Sequence, residues 1–131
     1  LNIAIIGSGI SSITAAKTFL EFNYNVYLFD ANNFNEKIIT DTEISYYNNN
    51  GSSPKFNNKI IKNHPPDVIF IYSKRSAESF VEIVKKYALN GLMTESRVLC
   101  ISEKVLSVLK SAGWEKLEIF EPGEEIMKLE V

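Results

Sequence analysis

The chain has 131 residues, 45% of them hydrophobic and 23% charged, with a formal net charge of -2. That length and balance suit one globular domain with its own core, and the small net charge speaks against a nucleic-acid or anionic-membrane partner. Cys100 is the only cysteine, which excludes a disulfide framework and a cysteine metal cluster.

Residues 2–6, Asn-Ile-Ala-Ile-Ile, form a short apolar run of the kind buried on both faces of a parallel sheet. The turn Gly7-Ser8-Gly9 follows. Ile10, Ile13, Ala16 or Lys17, and Leu20 then recur at helical spacing with Phe19 beside them, and the helix is expected to end near "FNYN". "NVYLF" (25–29) reads as a second strand closed by Asp30, so the first thirty residues make a β-α-β unit.

Residues 31–66 differ in kind. They are rich in Asn, with Gly51, Pro54, Pro65 and Pro66 as breakers, and read as loop or weak helix, with a short helix around Ile38–Ile44. A connection of this length is unusual inside a compact domain. It points to a functional loop or to a seam at 48–66 between segments of different origin.

Val68 to Tyr72 restores a buried strand. Ser73 or Ser76 can cap the helix in "SAESFVEIVKKYALN", whose Phe80, Val81, Val84 and Tyr87 or Ala88 share a face, with Asn90-Gly91 as its stop. "RVLCIS" is the next strand and makes Cys100 a core thiol. Ser102 stands where an N-cap belongs, before the helix "EKVLSVLKSAG". "KLEIFE" is a last strand and "PGEEIMKLEV" a final short helix. The alternation predicts a single α/β domain over 1–131, a doubly wound five-stranded parallel sheet of Rossmann-like or flavodoxin-like type. The long connection is long enough to carry the chain across the first strand, which favours the order 2-1-3-4-5.

The glycine turn carries the clearest chemistry. Gly7 allows a tight exit from the strand, and Gly9 lets a ligand approach with no Cβ in the way. The amides of Ser8, Ser11 and Ser12 stand at a helix N-terminus, where the positive end of the dipole favours a pyrophosphate. Asp30, at the end of the second strand, is placed to bond a ribose hydroxyl. The third glycine position holds Ser12. These residues predict a dinucleotide site, FAD ahead of NAD. A strand-ending turn with no ligand is the plainer alternative.

Two resemblances follow. The stretch "NIAIIGSGISSITAAKTFLEFNYNVYLFDANNF" through "SSPKF", residues 1 to about 60, resembles the N-terminal segment of FAD-dependent oxidoreductases. That resemblance implies FAD held by Gly7, Gly9, Ser12 and Asp30. Residues 66–131, with "PDVIFIYSKRSAESFVEIV" and "RVLCISEKVLSVLKSAGWEKLEIFEPGEEIMKLEV", resemble the C-terminal part of uroporphyrinogen-III synthase. This second resemblance implies two flavodoxin-like domains with a tetrapyrrole in the cleft between them. It also implies that Tyr72, Ser73, Ser76 and Ser102 line the cleft and bind the ligand's carboxylates. The reaction it implies closes hydroxymethylbilane into a ring without a cofactor. Plain helix capping is the alternative for the three serines. Together the two resemblances suggest either a composite of two families or a diverged small Rossmann-like protein.

Other residues point to structure. His64, the lone histidine, lies in the polar "KNHPPD". Tyr46 and Tyr47 read as a loop cover or a stacking pair, and Trp114 as a lid on the sheet edge. Lys74-Arg75, at the ligand edge of such a fold, could meet a phosphate or a carboxylate. Glu124-Glu125 suit the start of a helix. No metal-ligand spacing occurs. No apolar run is long enough to span a bilayer and no signal peptide is visible, so the cytosol is the expected compartment. Leu1 rather than Met at the start suggests a piece of something longer. The functions in play are a dinucleotide-binding domain without a complete active site, a uroporphyrinogen-III synthase domain or remnant, and a non-catalytic structural or engineered domain. The first two have a small-molecule partner, a dinucleotide or a tetrapyrrole.

Overall fold

Strand and helix alternate along the chain except between residues 25 and 71, where four strands follow one another among the described residues, and all strands belong to one sheet. The computed structural model describes residues 1–7, 10–29, 36–40, 43–47, 65–89, 91 and 95–129. The strands are β1 (Asn2–Ile6), β2 (Asn25–Phe29), β3 (Glu36–Thr40), β4 (Glu43–Tyr47), β5 (Val68–Ile71), β6 (Arg97–Cys100) and β7 (Leu117–Ile119). The helices are α1 (Ile10–Glu21), α2 (Lys74–Lys86), α3 (Glu103–Ser111) and α4 (Glu125–Leu129). The sheet order is β4-β3-β2-β1-β5-β6-β7. Its five strands β2, β1, β5, β6 and β7 are parallel neighbours, which is the expected 2-1-3-4-5 order.

The sheet also carries an antiparallel extension. β3 pairs with β2, Val26 opposite Ile39, and β4 pairs with β3, Thr40 opposite Glu43. The helix expected around Ile38–Ile44 is therefore two strands. The physical reason is local: "IIT" and "ISYY" are β-branched and aromatic, types that favour a pleated surface over a helix. Tyr46 and Tyr47 accordingly lie in a strand, not a loop.

Alternation in the central strands divides the core into two layers. Ile3 and Ile5 of β1, Val68 and Phe70 of β5 and Leu99 of β6 pack with Ala15, Ala16 and Phe19 of α1. Ile126 and Leu129 of α4 close this face. Ala4, Ile6, Ile69, Ile71, Val98 and Cys100 pack on the other face with α2 and α3. Phe70 sits between Phe19 and Phe120, with ring centroids 5.3 Å and 5.2 Å away. Trp114 is buried against Phe80 at 5.7 Å, within the α2–α3 layer.

The helices differ from expectation in detail. α1 buries Ser12, Ala15, Ala16 and Phe19, while Ile10 is 87% exposed. The small side chains at 12, 15 and 16 let the helix approach the sheet, which rotates its face away from the Ile10–Ile13 stripe. α2 stops before Asn90-Gly91: Tyr87 is its C-cap and Ala88 takes the left-handed turn at φ 53. Leu89, buried at 4%, anchors the chain there, and burial offsets the strain on Ala88.

Candidate functional site

In an open parallel sheet, ligands bind beyond the carboxyl ends of the strands where successive connections leave for opposite faces. Here that point lies between β1 and β5, since α1 covers one face and α2 the other. Gly7 follows β1, Tyr72 and Ser73 follow β5, and Ser102 follows β6. Tyr72 is tied to the neighbouring strand by its N–H, which donates to the Ile6 carbonyl at 3.3 Å.

Gly7 has φ +139, a conformation L-residues rarely adopt. A Cβ there would stand 3.5 Å from the Tyr72 Cβ and 3.7 Å from the Oγ atoms of both Ser12 and Ser76. Four predicted residues from two separate stretches, Gly7, Ser12, Tyr72 and Ser76, thus meet at one point. Ser12 and Ser76 are 1% and 3% exposed, so they form the floor rather than the surface. Ser11, on the outer side of α1, is exposed and lines a neighbouring cleft instead. Ser8, Gly9 and Asp30, the rest of the dinucleotide fingerprint, lie outside the described residues, as does His64.

Two of the predicted serines, Ser73 and Ser102, are the N-caps of α2 and α3. Ser73 is the N-cap of α2: its Oγ accepts from the Ser76 N–H at 3.0 Å and donates to the Ser76 Oγ at 2.8 Å. Ser76 is therefore not the cap but the cap's buried partner. Ser102 is the N-cap of α3, its Oγ accepting from the Val105 N–H at 3.4 Å. Capping leaves other first-turn amides and the positive dipole ends facing the strand edge. Lys74 and Arg75 stand exposed in the first turn of α2, which has no acidic residue, whereas in the first turn of α3 Lys104 is offset by the exposed Glu103. Cations at a helix N-terminus oppose the dipole. The start of α2 is thus electropositive at some local cost.

Tyr72 is half-buried, and its ring meets Phe120 edge-on at 5.2 Å. Its hydroxyl donates to Glu125 Oε2 at 2.6 Å. Glu125 is 7% exposed, and its other oxygen accepts from the Gly123 N–H at 2.6 Å. Burial, then the hydrogen bond and the charge of Glu125, push the Tyr72 phenol far above its ordinary pKa. Beside this pair a cleft of about 220 Å³ opens between α1 and α4, lined by Ile10, Ser11, Thr14, Pro122, Glu125 and Ile126 among others. In the sequence Glu125 reads only as part of a helix start. The signal it lacked was spatial, since Tyr72 stands 53 residues away.

A family model for uroporphyrinogen-III synthase HemD matches residues 31–124. The chain belongs to that family. Within the synthase match lie Tyr72, Ser73, Ser76 and Ser102, together with residues 48–66 where composition suggested a seam. Residues 1–30, with the glycine turn that resembles FAD-dependent oxidoreductases, lie outside it. No curated protein and no solved structure matches the chain significantly. Among the described residues no helix is long and apolar enough to cross a membrane.

Proposed function

We propose that this chain is a tetrapyrrole-binding domain of a uroporphyrinogen-III synthase. Its ligand edge is the carboxyl end of β1, β5 and β6. The observation that carries this is the family match, whose range contains Tyr72, Ser73, Ser76 and Ser102. The electropositive first turn of α2 supports it, because an uncyclised bilane is a polyanion of acetate and propionate groups. In this role Lys74, Arg75 and Lys104 draw the carboxylates in, first-turn amides of α2 and α3 hold them, and Gly7 leaves the floor low enough for a flat pyrrole. A second domain supplies the opposite wall. The chemistry is ring closure of hydroxymethylbilane, with catalysis by positioning and no cofactor.

The test is a titration of the purified chain with uroporphyrin and, separately, with FAD. Uroporphyrin is expected to bind with a marked salt dependence, and Lys74→Glu with Arg75→Glu should weaken it about tenfold or more. FAD bound in place of the tetrapyrrole, and lost in Gly9→Val, would overturn the proposal in favour of the dinucleotide turn.

A further inference from the structure

The Tyr72–Glu125 pair assigns a direction to one contact with the ligand. A phenol has one proton to give. Here that proton points at Glu125 Oε2, 2.6 Å away, and the carboxylate is fixed in place by the Gly123 N–H on its other oxygen. Phenols hold a proton about six pH units more tightly than carboxylates, so the proton stays on the tyrosine and the bond is charge-assisted. What the Tyr72 oxygen has left is lone pairs. A ligand carboxylate reaching it would find the donor already spent and a buried negative charge directly behind. A ligand N–H would find a phenol oxygen made more electron-rich by its own short bond to an anion.

We infer that Glu125 is a positioning residue that commits the Tyr72 hydroxyl proton, so that Tyr72 meets the tetrapyrrole as an acceptor for a pyrrole N–H rather than as a donor to its carboxylates. The inference rests on the tetrapyrrole proposal above and corrects one part of the expected roles. The first-turn amides that follow Ser73 and Ser102 remain the carboxylate contacts, since the Ser73 hydroxyl proton is itself given to Ser76, whereas Tyr72 reads the ring. The ring's orientation is fixed independently by the edge-on contact with Phe120 and by the backbone bond to Ile6. Carboxylates and pyrrole nitrogens are thus sorted to different ends of the site.

Two measurements test this. Alkaline titration followed by tyrosinate absorbance, without ligand, compares wild type, Glu125→Gln and Tyr72→Phe. Glu125→Gln is expected to bring one phenol ionisation to lower pH, and Tyr72→Phe in that background to remove the shifted step. No change in Glu125→Gln would sink the inference. The second measurement is binding of a stable linear carboxylated bilane and of its N-methylated counterpart. Tyr72→Phe should weaken the first about tenfold and leave the second unchanged. Glu125→Gln should narrow the preference between the two, an effect that a merely structural role would not produce. Equal weakening of both bilanes in Tyr72→Phe would overturn the acceptor role. Binding of neither bilane to wild type would reject the tetrapyrrole proposal and the ligand half of this inference, while the titration still decides the committed proton.

Discussion

Gly7 carries φ +139 at the end of β1. Its Cβ would meet only ordinary contacts, so the cost of a side chain there is conformational rather than steric. Gly7→Ala should lower stability by about 1–3 kcal/mol, read as a lower urea midpoint with the slope unchanged. Cys100 is fully buried, and burial pushes its thiol from 9.0 up to about 12. It should resist alkylation in the folded chain at neutral pH and react once the chain is unfolded. Tyr72 is shifted in the same direction from its ordinary 10.0. Both groups bind protons more tightly folded than unfolded. Their contribution is full below about pH 9 and is lost as pH rises above the unfolded values. Stability should therefore fall on going from pH 9 to pH 11, and less steeply in Tyr72→Phe. Cys100 was legible because its neighbours in "RVLCIS" are apolar, and Gly7 because it ends an apolar run. The pairing of Glu125 with Tyr72 was not, since two residues far apart in the chain meet only after β5 and α4 are placed.

At the scale of elements, the caps give the clearest contrasts. Ser73→Ala removes an acceptor at 3.0 Å and also strands the Ser76 hydroxyl, and should cost about 1–2 kcal/mol of thermal stability. Ser102→Ala breaks a longer bond of 3.4 Å and should cost less. α4 is a five-residue helix held at both ends: Glu125 receives Tyr72, and Arg97 donates to the Lys128 carbonyl at 3.1 Å while bridging Glu118 at 2.6 Å. The helix starts α2 and α3 could be placed from Ser73 and Ser102 alone, because capping is decided by neighbours in sequence. The hairpin β3–β4 escaped notice for the opposite reason. Its five-residue strands sit among asparagines, and β3 is held by pairing with β2 and β4 by pairing with β3, contacts that local composition does not display.

For the whole molecule, sheet order was legible because strand and helix patterns alternate and one connection is much longer than the rest. The antiparallel edge was hidden inside that same connection. Layering follows from the strands themselves: successive residues of β1, β5 and β6 feed opposite cores. Phe70, at the centre of the α1–α4 face, should be among the costliest truncations, with Phe70→Ala losing about 3–5 kcal/mol. A loss below about 1 kcal/mol would mean that Phe19 and Phe120 close over the gap.

The single tryptophan has a consequence for how such variants are seen. Trp114 lies wholly on the α2–α3 side, pressed on Phe80, and Phe70 lies on the opposite side. Its emission is therefore a one-sided window. A substitution beneath α1 or α4 alters the tryptophan signal only to the degree that the sheet melts as one unit, so the fluorescence transition of Phe70→Ala measures how firmly the two layers are coupled.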